Sequence, residues 1–309
     1  MTIWDQILSA LRAAVPAAAP LLYGTLGEVT AERSGVVNLG MEGMMLMGAV
    51  VAFAVTQATG NVWLALLAAA LIGALMGLIH AFATISLRVN QVVAGLALTM
   101  IGTGISGIMG KRFIGMPPRV QLKPVPIPIL SDIPVIGPIL FNHDVLVYIA
   151  LLMVPLMWFL FYKTRWGVSL RSVGEDPATA DAMGVNVFRV RYLAVTFGGL
   201  MAGIGGAYLP IVYTPAWIEG MTAGAGWIVI ALTIFSMWDP ARALLGAYLF
   251  GGVRILQYRL QKLGVSPPLL NTLPFVFTIL VLLISAGETM RKRLGAPAAL
   301  MKPYAREER

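Results

Sequence analysis

Long apolar runs separated by short polar stretches dominate the chain. Most runs are close to 20 residues, which is long enough for an α-helix to cross a hydrocarbon layer of about 30 Å. About nine runs can be marked, at residues 8–27, 36–57, 61–86, 90–110, 145–163, 192–212, 224–238, 242–257 and 269–287. The pattern predicts an all-α polytopic membrane protein with about 8–10 transmembrane helices, in a single domain over residues 1–309.

One apolar run is too short for a full crossing. Residues 224–238 are followed at once by Asp239-Pro240 and then by another apolar run. Proline cannot continue a preceding helix and is common where one begins. We therefore expect 224–238 to be one half of a broken hairpin whose second half starts after Asp239.

Composition supports a membrane protein and narrows its chemistry. Only 12% of residues are charged, against about 25% in soluble domains. The net charge of +8 comes from basic residues that flank apolar runs, and no basic stripe is interleaved with aromatics, so nucleic-acid binding is not expected. With no cysteine and two histidines, neither thiolate chemistry nor a metal site is expected.

Lysine and arginine predict the orientation. They concentrate in a polar insert, residues 164–191, and in a basic tail, residues 291–309. Four predicted spans separate the two regions, so both should lie on one side, and the positive-inside rule makes that side the cytoplasm. The N-terminus and the 111–144 loop are then external. The loop is rich in proline, which predicts extended, polyproline-like backbone, although its four basic residues run against this orientation.

The polar insert contains a short capped helix. In "EDPATADAMGVN", Asp176 can cap the N-terminus, Pro177 suits the first helical position and Gly184 suits the left-handed position after the C-terminus. Ala178 and Ala182 lie one turn apart and form a face of small side chains that a partner could approach closely. The insert is therefore either a capped connector or a docking element.

Two stretches give the chain a family resemblance. "GVSLRSVGEDPATADAMGVNV", followed by "FGGLMAGIGGAYL", resembles the cytoplasmic-loop signature of inner-membrane permease subunits of ABC importers, in the family that includes ribose and branched-chain amino acid permeases. "GTLGEVTAERSGVVNLGMEGMMLMGAVVAF" resembles its nucleoside-uptake branch, whose binding protein is a basic membrane lipoprotein. Residues 226–253 sit where that family carries a broken hairpin.

The resemblance implies that the insert is a coupling loop whose short helix seats in a groove on a separate ATP-hydrolysing subunit. The family often has Asn where this chain has Asp176, and both residues cap helices. The candidate contact residues are Gly174, Glu175, Asp176, Pro177, Ala178, Ala180, Ala182 and Gly184.

The resemblance also implies partners and a location. The expected partners are a cytoplasmic ABC ATPase, a second permease subunit that is usually a related but different chain, an external substrate-binding lipoprotein, and membrane lipid. The chain would be a multi-pass protein of the cell (inner) membrane. It would hold no cofactor of its own, because ATP and magnesium would bind the ATPase.

No enzymatic activity is expected of the chain itself. The phosphate-binding motif G-x-x-x-x-G-K-[ST] does not occur in the sequence. "GISG" (104–107) matches the surroundings of an intramembrane serine protease nucleophile, which needs a histidine base. His80 precedes this motif, against the usual order, and His143 falls in the external loop.

Polar side chains within apolar runs suggest a substrate pathway. Asn38 and Glu42 are four residues apart, so we expect them on one helix face, in a stretch whose glycines favour a break. Asn90, Gln91 and Asn271 are further candidates. The alternative is structural: Glu42 at the cytoplasmic interface, Asn38 as a cap, and Asn90 and Gln91 also at the interface.

Two nearby groups are expected to be structural. Glu28, Glu32 and Arg33 should lie in the cytoplasmic headgroup zone. The methionines at positions 41, 44, 45 and 47 should pack the interior, with a pliable pathway wall as the alternative.

The leading function is the transmembrane permease subunit of an ABC importer for a small polar solute, with nucleosides first and simple sugars open. The alternative is a secondary transporter or channel that works without an ATPase. That alternative predicts inverted repeats and buried ion-coupling carboxylates.

Overall fold

Helices make up nearly all the regular structure of the chain. The computed structural model describes residues 3–261, 264–285 and 295–306, so the predicted basic residues Arg291, Lys292, Arg293 and Arg309 lie outside the described part. The elements are α1 (Ile3–Arg33), α2 (Met41–Thr59), α3 (Val62–Ala81), α4 (Gln91–Gly110), β1 (Val125–Pro126), α5 (Ile136–Leu140), β2 (Asn142–His143), α6 (Val145–Lys163), α7 (Arg165–Glu175), α8 (Pro177–Ala182), α9 (Val187–Tyr208), α10 (Ala225–Phe235), α11 (Pro240–Gln261), α12 (Pro267–Asn271) and α13 (Leu273–Ser285).

Six helices of the described chain are long and apolar enough to cross a membrane, which confirms the all-α polytopic prediction. They are Trp4–Arg33, Met41–Thr59, Val62–Ser86, Gln91–Phe113, Val145–Lys163 and Val187–Tyr213. The last three predicted runs are α10, α11 and α13. Of these, α10 and α13 have 11 and 13 residues, and α11 has 22 but contains arginines. The sequence estimate of about 8–10 helices is reached only when these three are counted.

The broken hairpin is confirmed. With 11 residues, α10 is only about 16 Å long and begins inside the bundle. Met237 and Trp238 take positive φ values of 51° and 55°, which turns the chain before α11 begins at Pro240. Asp239 caps α11 by accepting hydrogen bonds from the N–H groups of Ala241 and Arg242 at 3.0 and 3.1 Å.

Close backbone contact between glycines forms the centre of the bundle. Gly73 and Gly77 of α3 face Gly199 and Gly203 of α9. A Cβ added to Gly77 would lie 2.8 Å from Val195 O, and one added to Gly199 would lie 2.9 Å from Gly77 Cα. Small residues four apart allow helices to approach in this way.

The four methionines of α2 lie in the same interior. Met41, Met44 and Met45 have no exposed surface and Met47 is 6% exposed. Their expected packing role is therefore confirmed.

The two ends of the bundle differ. One end, here called the loop end after the polar insert, carries α7, α8, the C-terminus of α1 and residues 295–306. The insert and the tail therefore lie together, as their charge predicts. The far end carries the α1 N-terminus and the 111–144 loop, where Arg119 donates to the carbonyls of Gln57 and Ala58. That loop is not wholly extended, because it forms the antiparallel β1–β2 pair and the short helix α5.

Candidate functional site

The local geometry of α8 agrees with the capping prediction. Asp176 Oδ1 accepts hydrogen bonds from the N–H groups of Ala178 (3.0 Å) and Thr179 (3.1 Å), and Pro177 is the first helical residue. Gly184 follows the helix with φ +87°. Hydrogen bonds from the Thr179 hydroxyl and N–H hold the pKa of Asp176 below its usual range, so the cap is ionised at neutral pH.

A small, smooth surface projects from the loop end. Glu175, Ala178, Ala182 and Gly184 are exposed, as is Met183, at 81%. This face consists mainly of short side chains, which suits insertion into a groove.

Two predicted contact residues are buried instead. Gly174 packs so closely on α1 that an added Cβ would overlap the carbonyl of Arg33. Ala180 is 4% exposed and packs into the core of the loop. The assignment of these two to a contact surface is therefore corrected: Gly174 lets α7 pack closely on α1, and Ala180 packs α8 on the core beneath it.

Sequence reasoning missed the amphipathic helix α7. Thr164 caps it by accepting a hydrogen bond from the Gly167 N–H at 3.2 Å, and Leu170 and Val173 are fully buried. A local signal existed, because a threonine cap followed by apolar residues three apart is typical of a helix start.

The break between α1 and α2 is held by polar side chains. The Val37 N–H donates to Gln91 Oε1 at 2.8 Å, and His80 Nε2 lies 2.9 Å from Val37 O. The Asn38 N–H donates to Glu28 Oε1 at 2.8 Å. These contacts pair backbone groups that would otherwise be unsatisfied in an apolar interior.

The expected common face of Asn38 and Glu42 is wrong. Because α2 begins only at Met41, Asn38 belongs to the non-helical break, where its Oδ1 accepts from the Gly40 N–H at 2.9 Å. Asn38 is thus a local cap, as the structural alternative held.

The other pathway candidates are dispersed. Asn90 is exposed at the loop end and caps α4 through the N–H groups of Val92 and Val93. Gln91 is 5% exposed and holds Val37. Asn271 ends α12, and its side chain lies outside the described part. Asn38, Asn90 and Gln91 stabilise turns in the structure, and their assignment to a substrate pathway stays a prediction.

Glu42 joins two elements inside the bundle. It is 8% exposed and accepts hydrogen bonds from the Thr222 hydroxyl (2.5 Å) and the N–H groups of Gly224 (3.0 Å) and Gly226 (2.6 Å). Its carboxylate thereby caps α10, where the helix dipole also favours negative charge.

The depth of Glu42 follows from its neighbour. Gly43 packs on the backbone of Leu98 and Thr99, which lie about 12 Å along α4 from its start at the loop end. Glu42 is thus well inside the bundle and not at the cytoplasmic interface, where the structural alternative put it.

The side chains of Glu28 and Glu32 are enclosed by the bundle. They are 0% and 2% exposed. Glu32 Oε2 accepts a hydrogen bond from Trp238 Nε1 at 2.5 Å, and Arg33 Nε donates to Trp238 O at 3.0 Å. The end of α1 is therefore tied to the turn after α10, a contact that no local pattern indicates.

A cavity of about 200 Å³ lies on the far-end side of Glu42. Its floor is the Glu42-bound stretch at Thr222, and its polar walls come from Arg254, Gln257 and Tyr258. The guanidinium of Arg254 also lies 5.3 Å from the ring centroid of Tyr213. The lining residues are Leu21, Thr222, Ala223, Ala225, Ile228, Phe250, Arg254, Gln257, Tyr258, Pro274 and Phe275.

The lining of this cavity is mixed in chemistry. Its hydroxyl, amide and guanidinium groups can form hydrogen bonds with a small polar compound, while two phenylalanines offer apolar contact. Its volume is below the roughly 300–1,000 Å³ of ordinary ligand pockets.

Comparisons with known proteins cover almost the whole chain. The family described as branched-chain amino acid transport system / permease component matches residues 14–284. The putative glucose ABC transporter permease protein TsgC13 of Haloferax volcanii is 42% identical over 322 residues, covering 96% of this chain and 97% of the relative. No solved structure matches significantly.

Two further relatives are named as permeases for nucleosides. The guanosine ABC transporter permease protein NupQ of Bacillus subtilis is 37% identical, over 98% of this chain and 99% of its own length. The nucleoside ABC transporter permease protein NupC of Lactococcus lactis is 35% identical, over 88% and 90%.

Replacing Glu42 tests its role as an internal cap. Glu42→Ala should lower the free energy of unfolding by about 1–3 kcal/mol for each N–H left unsatisfied, while Glu42→Gln, which keeps one acceptor oxygen, should cost less. Thermal unfolding in detergent checks this, with Glu219→Ala as the control because Glu219 is exposed. Equal losses in Glu42→Ala and Glu219→Ala would contradict the assignment.

Proposed function

Since the chain belongs to the branched-chain amino acid transport system / permease component family, we propose that it is the membrane-spanning subunit of an ABC importer for nucleosides. The observation that carries the nucleoside assignment is the end-to-end match to a guanosine permease, with a second nucleoside permease beside it. The six apolar spans and the family together make the chain a multi-pass protein of the cell membrane.

The energy for transport comes from a partner. The sequence holds no phosphate-binding loop motif, so ATP and magnesium bind a separate cytoplasmic ATPase. The exposed short-residue face of α8 supports docking in a groove of that ATPase, with Glu175, Ala178 and Ala182 as contact residues.

Two further partners complete the importer. ATP-driven closure works on paired ATPases with two grooves, and a second permease chain, related but different, supplies the other docking helix. An external substrate-binding lipoprotein supplies affinity, which is consistent with the small cavity beside Glu42.

A second cargo has support of its own. The Haloferax volcanii relative, 42% identical, is named a putative glucose permease. The polar and aromatic cavity walls would also accept a hexose, so glucose is the second candidate.

Bulky substitutions on α8 test the docking role. Ala178→Trp and Ala182→Trp should abolish co-purification of the ATPase in mild detergent, because an indole would hold the groove away from the helix. Ala58→Trp is the matched control, since Ala58 is also exposed but lies at the far end. Full retention of the ATPase by both α8 variants would contradict the proposal, as would ion-driven transport by this chain alone in liposomes.

Uptake by a deletion strain complemented with the complete transporter tests the cargo. Labelled guanosine and uridine should accumulate, and unlabelled nucleosides should compete more strongly than glucose or ribose. Accumulation of glucose without nucleosides would reject the first candidate and select the second.

A further inference from the structure

Residues 295–306, here called the C-terminal segment, pack against the coupling loop. The Ala299 N–H donates to Gly174 O at 2.8 Å, and the Met301 N–H donates to Gly35 O at 3.1 Å. Ala299 and Tyr304 are 4% and 8% exposed. The segment is therefore part of the folded loop end.

The outer end of the segment binds α8 through Asp181. The Tyr304 hydroxyl donates to Asp181 Oδ2 at 3.0 Å. Arg306 adds a forked pair, with Nε 2.9 Å from Oδ2 and Nη2 2.8 Å from Oδ1. Bidentate pairing fixes direction as well as distance, although the exposed guanidinium keeps the energetic contribution of the pair small.

Its inner end reaches the break between α1 and α2. Arg191, 2% exposed, donates from Nε to Ser34 O at 3.1 Å and from Nη1 to Lys302 O at 3.3 Å. Gly35 has φ +92°, and an added Cβ there would lie 2.9 Å from Arg191 Nη2 and 3.1 Å from Ala299 O. The segment thus bridges α8 and the break directly.

The break leads to the cavity. Residues 34–40 connect α1 to α2. Glu42, near the start of α2, accepts a hydrogen bond from the start of α10. It also accepts one from Thr222, at the cavity floor. A displacement of α8 therefore has two routes into the bundle: along the chain through α7 and α9, and across space through the C-terminal segment.

We propose that the C-terminal segment is a positioning element that passes movement of α8 to the α1–α2 break, through Asp181 at one end and Gly35 and Ser34 at the other. The proposal rests on the function above, in which α8 docks on the ATPase. The C-terminal segment contacts groups of this chain. Loss of these contacts should therefore reduce transport per ATP hydrolysed more than it reduces binding of the ATPase.

A reciprocal charge exchange tests it in the complete transporter reconstituted in liposomes. Asp181→Arg and Arg306→Asp should each lower the ratio of solute transported to ATP hydrolysed by about fivefold or more, the lower end of typical coupling between sites. The double variant should restore most of the ratio, because the pair is rebuilt in reverse. Lys302→Ala, exposed in the same segment, is the control and should leave the ratio unchanged.

Each outcome separates the two claims. Suppose the ATPase co-purifies with the wild type, and both single variants keep the wild-type ratio of solute transported to ATP hydrolysed. The segment then has no positioning role, while the proposed function stands. If Asp181→Arg releases the ATPase and adding Arg306→Asp does not restore ATPase binding, Asp181 contacts the ATPase itself and the positioning role is rejected. If the wild type binds no ATPase, the proposed function falls and this inference with it. Size-exclusion profiles and helix content confirm that each variant is folded.

Discussion

Backbone groups inside an apolar bundle must find partners within the protein, and this requirement shapes the centre of the molecule. Two of the non-helical stretches in the described chain meet at Glu42: residues 34–40, and the end of residues 214–224. Where their backbone is buried, it cannot rely on water as a surface loop does. Gln91, Asn38 and Glu28 satisfy the first, and Glu42 satisfies the end of the second.

The two interruptions are coupled because Glu42 belongs to both regions. It stands at the start of α2, just after the first break, and it caps α10, just after the second. At the other end of α10, Trp238 donates to Glu32 of α1. A helix of 11 residues is thus held at each end by one carboxylate, and it forms part of the cavity wall. Movements of α1 and α2 relative to each other would therefore carry α10 with them.

Sequence alone predicted features whose determinants are close together in the chain. The cap of α8 depends on Asp176, Pro177 and Gly184, all within nine residues, and the long spans follow from continuous apolar composition. The roles of Glu42 and Glu32 were not predictable, because their partners Thr222 and Trp238 lie 180 and 206 residues away. Hydropathy treats an isolated carboxylate as a surface group, so it gives no sign that the side chains of Glu28 and Glu32 are buried. The burial of Gly174 and Ala180 was missed for a related reason, since one short helix does not reveal which side faces the bundle.

The proposed function requires α8 to face the cytoplasm, where an ATPase covers it. Met183→Cys would place a single thiol beside α8 in a chain that has no cysteine. A membrane-impermeant maleimide should leave it unlabelled in intact cells and label it in inverted vesicles stripped of the ATPase. Adding the ATPase back should protect it. Labelling from outside intact cells would contradict the proposed function, because no cytoplasmic ATPase could then reach the helix.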